Sequence, residues 1–177
     1  MNLFNKNTPA KWSNYDIIKY LDEFIELYKE RPIKDNTGGM KFPHMFGLFF
    51  MLKDLKPDFV VESGIYKGQS TWLIERTLPN VNVLSLDPHL NQRKYISKSD
   101  KVKYSNLDFT EQDFFNIPKN ALVFLMIIKI FMKDWFFLIF LDLNTSLVKI
   151  IIQFHKVILI LLKRFFQELA LMIQEQV

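Results

Sequence analysis

The run Asp58-Phe59-Val60-Val61-Glu62-Ser63-Gly64-Ile65-Tyr66-Lys67-Gly68-Gln69-Ser70 limits the fold more than any other stretch of the chain. Phe59-Val60-Val61 is short, rich in β-branched residues and bounded by Pro57 and Gly64, the pattern of a strand buried on both faces of a parallel sheet. Gly64 and Gly68 supply the backbone freedom for a sharp turn, and a helix follows from Gln69 or Ser70 to Leu78. Pro79-Asn80 breaks it, and Val81 to Leu86 reads as the next strand, closing on Asp87-Pro88. Strand, helix, strand in this order implies a parallel crossover, so the economical fold is an open α/β sheet with helices on both faces. Val102 to Leu107 reads as a weaker third strand ending at Asp108, and Ala121-Leu122-Val123-Phe124 begins a fourth.

Two helices are expected ahead of the first strand. Ile17, Ile18, Leu21, Ile25 and Tyr28 recur at helical spacing, with Ser13 or Asn14 as cap and Pro32 beyond the end. Asn36-Thr37-Gly38-Gly39 reads as a loop, and Met45 to Leu55 as a second, strongly apolar helix that stops before Pro57. A chain of 177 residues fits one domain. The absence of cysteine excludes disulfides and thiolate metal sites, and the polar start Met1 to Asn7 carries no apolar signal segment, so a cytoplasmic location is expected. The net charge of +4 is spread among both signs and forms no basic stripe, so no nucleic-acid partner is expected.

Glu62, Asp87 and Asp108 all stand at the carboxyl ends of expected strands, where open parallel sheets bind ligands. Carboxylates there suit a ligand that offers ribose hydroxyls or an ammonium group and would repel a bare phosphate. Glu62-x-Gly64-x-x-x-Gly68 after a strand, with Asp87 at the end of the next, resembles the class I S-adenosylmethionine-dependent methyltransferases over roughly residues 57 to 124. The resemblance implies a Rossmann-like sheet and S-adenosylmethionine as cofactor. Glu62, Gly64 and Gly68 would hold the methionine end, Asp87 the ribose hydroxyls, and Asp108 would lie near the adenine. Gly68 would let the helix start approach the ligand closely. A dinucleotide site usually carries G-x-G-x-x-G, which Ser63, Tyr66 and Lys67 interrupt, so NAD is the weaker reading. The plain alternatives are a chance motif, a turn acid at Asp87, a solvated Lys67, and loop histidines at His44 and His89. No catalytic base and no metal site can be assigned.

Beyond Phe124 the chain changes character. All five glycines lie at or before Gly68 and all seven prolines at or before Pro118, while 35 of the 53 residues from Leu125 to Val177 are apolar. Lysines and aspartates interrupt that tail too often for a spanning helix, which needs about 20 apolar residues. Asp142, Lys149, Lys156 and Lys163 lie seven apart and would give an amphipathic helix with one charged seam, fit to lie on a bilayer surface or bury against a partner. A second account is genetic. Shifting the reading frame by one base turns the codon junctions at Met126-Ile127, Met132-Lys133 and Met172-Ile173 into acidic codons, whereas the opposite shift gives a stop at each. With A/T-rich codons, one added U after Phe124 restores a soluble-looking text beginning Phe-Phe-Asp-Asp-His.

The expected organisation is therefore N-terminal helices over 1–56, a cofactor-binding half over 57–124, and an apolar, out-of-frame helical tail over 125–177 that leaves the parallel sheet incomplete. The function implied is methyl transfer from S-adenosylmethionine to a small-molecule or sugar acceptor, impaired in the chain as encoded. The alternative is a non-enzymatic protein that uses the apolar tail as a membrane-associated or partner-binding helix.

Overall fold

The computed structural model describes residues 13–114, 116–118, 120–126, 136–142 and 149–151. The chain divides into two compact units, one ending at Glu30 and one beginning at Arg31. In the first, the periodic segment forms two helices, α1 (Asn14–Ile18) and α2 (Leu21–Lys29), where one was expected. Ser13 and Asp16 cap α1 reciprocally, the Ser13 hydroxyl accepting from the Asp16 amide and the Asp16 carboxylate accepting from the Ser13 amide. The restart at Leu21 coincides with Asp22 and Glu23, acids that favour the positive end of a new helix.

The second unit opens with the loop 31–41 and α3 (Phe42–Leu55), which has Pro43 in its first turn. Lys56, in the left-handed conformation at φ 45°, stops α3 ahead of Pro57. Then come β1 (Phe59–Ser63), α4 (Gln69–Thr77), β2 (Asn82–Leu86), β3 (Val102–Ser105), β4 (Asn120–Met126), β5 (Phe136–Asp142) and β6 (Lys149–Ile151). They form one sheet in the order β3-β2-β1-β4-β5-β6. The strands from β3 to β4 are mutually parallel, with Glu62 of β1 in register with Ser85 on one side and Phe124 on the other. The expected α/β architecture with a parallel sheet is thus what forms.

Strand alternation sends Val60, Glu62, Val83, Ser85, Leu122 and Phe124 to one face, all of them buried. Helix α4 lies on this face, because Ser70 and Thr71 reach Glu62, and α3 packs on α4 through a buried stretch from Met45 to Leu52. The opposite face carries Val61, Leu86 and Val123, covered by Phe109, Phe114 and Ile117 from the segment between β3 and β4. At about 25 cal/mol per Å2 of apolar surface, each large side chain so buried stabilises the sheet by about 1.5–3 kcal/mol.

The tail corrects one expectation. Where a helix was expected, the described residues are strands: β5 pairs antiparallel with β4, Asn120 opposite Asp142, and β6 pairs antiparallel with β5. The cause is local composition together with an open neighbour. Phe136-Phe137-Leu138-Ile139-Phe140 is aromatic and β-branched, a sequence suited to a pleated surface, and β4 offers a full row of backbone groups to pair with. The rest of the expected seam, including Lys156 and Lys163, lies outside the described residues. Among those described, no helix is long and apolar enough to cross a membrane.

Candidate functional site

The sheet order reverses at β1: the chain runs outward from β1 to β3 on one side and returns to β4 on the other. Such a switch point opens a crevice beyond the carboxyl ends of the two diverging strands. The glycine turn, residues 64–68, sits at this point. Gly64 (φ 92°), Tyr66 (φ 50°) and Gly68 (φ 90°) give three left-handed residues within five. Tyr66 is the costly one, since a side chain in this region carries about 1–3 kcal/mol of strain, held only where surroundings enforce it.

Asp87 is one enforcer. One of its oxygens accepts from the Ile65 amide at 2.8 Å and the Tyr66 amide at 2.9 Å, and the other accepts from the His89 amide at 2.8 Å. The acid at the end of β2 thereby ties the turn after β1 to its own. A carboxylate has about four acceptor positions, so three such bonds leave one for a ligand hydroxyl.

Glu62 lies one layer deeper, fully buried on β1. It accepts from the Ser70 hydroxyl, from the Thr71 hydroxyl at 2.6 Å and from the Ser85 hydroxyl at 2.7 Å. Burial pushes its carboxyl above the usual carboxylate range, the three hydroxyls pull it back, and the charge of Asp87 adds to the rise. Both its oxygens thus serve to pin the first turn of α4 to β1 and β2.

Gly68 differs from the expectation in what approaches it. A Cβ there would lie 2.5 Å from the Tyr95 carbonyl oxygen, so the close neighbour is this chain's own backbone. The amides of Lys94 and Tyr95 both donate to the Lys67 carbonyl, at 2.9 and 3.0 Å, fastening the stretch after β2 over the glycine turn. Asp108 is not drawn into this group. Exposed beyond β3, it accepts from the Thr110 amide and hydroxyl at 3.0 and 2.9 Å, bonds that hold its carboxyl below the usual range.

Residues not read as site residues complete the picture. Lys67 donates to the carbonyls of Asp35 and Thr37 at 3.1 and 3.2 Å, and the Tyr66 hydroxyl donates to the Thr37 carbonyl at 3.0 Å. The loop 35–40 is thereby strapped across the turn. Beneath it Asn36, Met40, Ile65, Tyr66, Gln69 and Ser70 close together, leaving no enclosed space large enough for a water molecule. Gln69, the first residue of α4, is 3% exposed, and neither atom of its carboxamide has a hydrogen-bond partner. The Asn36 carbonyl oxygen is likewise buried and unpartnered, although its amide donates to the Met40 carbonyl at 3.1 Å. Each such group costs about 1–3 kcal/mol. The only signal in the sequence is a glutamine directly after Gly68, which reads equally well as a solvated helix start. Among the described residues no cluster of three His, Asp or Glu stands ready for a metal ion.

No family model matches this chain, and no curated protein does. Five solved chains match it. One, described as "cmcI-N160 SAH", is 20% identical over 58% of this chain, with a TM-score of 0.36. The match takes in 56% of that structure, so this chain spans little more than half of it.

Proposed function

We propose that residues 57–124 are the cofactor-binding half of an S-adenosylmethionine-dependent methyltransferase acting on a small-molecule or sugar acceptor, impaired in the chain as encoded. The observation that carries this reading is the glycine turn at the sheet's switch point, clamped by Asp87 from the end of β2. The solved structure named above is described with SAH; here the reading stands on this chain's own residues.

The site suits such a cofactor in its donors and acceptors. Asp87 keeps one acceptor position for a ribose hydroxyl. The first turn of α4, with its positive dipole end, favours a carboxylate, and the buried carboxamide of Gln69 and the carbonyl oxygen of Asn36 want polar partners. No lysine cradle for phosphate is formed around the turn, since Lys67 is engaged with the carbonyls of the strap. Asp108 would reach an adenine only after leaving its turn with Thr110.

Bound there, S-adenosylmethionine would supply a methyl group on a sulfonium, whose transfer needs in-line approach and a dry, ordered site. The chain contributes order. Glu62 fixes α4 against β1 and β2, Asp87 fixes the turn, and Tyr66 and Lys67 tie loop 35–40 to it. Elements after the fourth strand that would recognise an acceptor are what the out-of-frame tail fails to supply, so methyl transfer is impaired in the chain as encoded.

Titration calorimetry with S-adenosylhomocysteine, followed by competition with NADH, tests the reading. Saturable binding that NADH leaves unchanged supports it. Absence of binding, or displacement by NADH, overturns it.

A further inference from the structure

We propose that the crossover from β2 to β3 docks this protein on an anionic bilayer surface, with Ile96 entering the interface between Lys94 and Lys98. The inference is independent of the cofactor reading.

Residues 93–101 correct the even spread of charge expected above. They carry Arg93, Lys94, Lys98 and Lys101 against Asp100 alone. Nineteen basic and eighteen acidic residues remain in the rest of the chain, so this segment holds three of the four net positive charges. None of Lys94, Lys98 and Lys101 has an ion-pair partner among the described residues.

The fold presents this charge as a row. After a short turn at Leu90–Gln92 the crossover forms no further helix, and from Lys94 to Asp100 exposed and half-buried residues alternate one by one, as in an extended chain. The inner set is anchored: the Tyr95 hydroxyl donates to the Glu75 carboxylate of α4 at 2.7 Å, and the Ser97 amide donates to the Tyr104 hydroxyl at 2.9 Å. The Arg93 guanidinium lies over the Tyr104 ring, 4.2 Å from its centre. With the Lys67 carbonyl holding the amides of Lys94 and Tyr95, the backbone is already ordered, so binding through the outer row costs little entropy there. That outer row is Lys94, Ile96 and Lys98. At about 3.3 Å per residue its two lysines stand about 13 Å apart, and Ile96 between them is 56% exposed.

A lone exposed isoleucine is ordinary on a protein surface, and so is a solvated lysine. Their interleaving on one fixed row is what selects the partner. An anionic bilayer offers headgroup charge above an apolar layer, and each lysine near it contributes without any demand on shape. A single-stranded nucleic acid would take up the charge alone, leaving Ile96 in water, and both tyrosines are engaged inward, so neither ring is free to stack a base. A folded acidic protein needs about 800 Å2 on each side, more than one row of side chains supplies. Four basic groups and one isoleucine give weak, reversible attachment, of the order a single acyl chain provides.

The test is co-sedimentation of the full chain with phosphatidylcholine vesicles, with and without phosphatidylglycerol, at low and at physiological salt. Wild-type protein should bind only the vesicles that contain phosphatidylglycerol, and salt should weaken the binding. Lys94→Gln and Lys98→Gln should each lower the partition coefficient about fivefold, and Ile96→Ser about three- to tenfold. Lys103→Gln removes the same charge from β3, but on the face opposite Tyr104, and should change the partition by less than about twofold. All four positions are exposed, so melting temperatures should match the wild type. Binding that every variant retains, or that Lys103→Gln and Lys94→Gln weaken equally, overturns the assignment. So does equal binding to neutral vesicles, or a wild-type chain that ignores both vesicles and instead holds a single-stranded RNA oligomer through the same lysines.

Discussion

Glu62 shows how a single buried group sets the behaviour of a site it does not face. Its carboxyl titrates above the ordinary 4.5 because the interior disfavours its charge, while three hydroxyls partly restore it. For an acid raised in the folded state, the contribution to stability is whole below the unfolded value and is lost as pH rises through the folded one. Glu62→Gln should remove that loss, so the difference in unfolding free energy between variant and wild type should shift in favour of the variant across this window. The new amide can accept from Thr71 and Ser85 and donate to Ser70, so the cost at low pH should be only about 1 kcal/mol. Glu62→Ala leaves three hydroxyls unpartnered beside a cavity and should cost about 3–5 kcal/mol. Denaturant unfolding from pH 4 to 8 checks both, and parallel stability curves for wild type and Glu62→Gln would contradict this role for the carboxyl. At Gly68, alanine must adopt φ near 90° and displace the Tyr95 carbonyl. The backbone strain alone should cost about 1–3 kcal/mol, read as a lower denaturant midpoint.

At the scale of elements, the punctuation that makes β1, α4 and β2 legible is local. Pro57, Gly64, Gly68 and Pro79-Asn80 bracket each segment, and every such signal lies within a few residues of what it governs. What the sequence hides is contact between distant positions. Asp87 finds its partners 21 and 22 residues away at Tyr66 and Ile65, and Gly68 answers to Tyr95. Neither pairing has a trace in composition or periodicity. The tail departs from expectation for a related reason: the apolar run from Trp135 to Leu141 is too short and uniform to carry a period that separates strand from helix, and the edge of β4 decides it. The strap over residues 35–40 is a further element that only its partners reveal. Removing its Tyr66 bond with Tyr66→Phe, or its Lys67 bonds with Lys67→Met, should speed amide hydrogen exchange in 35–40 about three- to tenfold, on the basis of about 1 kcal/mol per bond. Exchange in β1 should stay unchanged. Equal exchange in the strap for wild type and variants would show that those bonds do not hold it.

For the whole molecule, the sheet has a built-in asymmetry. Its parallel part carries the glycine turn, and beyond β4 it continues through two antiparallel strands from a tail that contains neither glycine nor proline. We expect that tail to descend from a one-base change near the codons for Phe124 to Met126. Resequencing the locus should reveal an intact frame differing by one base in a U-run, whereas close relatives carrying the same 125–177 text in frame would refute it. The proposed cofactor half stands apart from that question, because its turn, its acids and its strap all precede Leu125. Its direct test is calorimetric titration of the purified chain with S-adenosylhomocysteine in the presence and absence of NADH. One saturable site, indifferent to NADH, is the expected result; a flat titration, or a site that NADH empties, would contradict the cofactor reading.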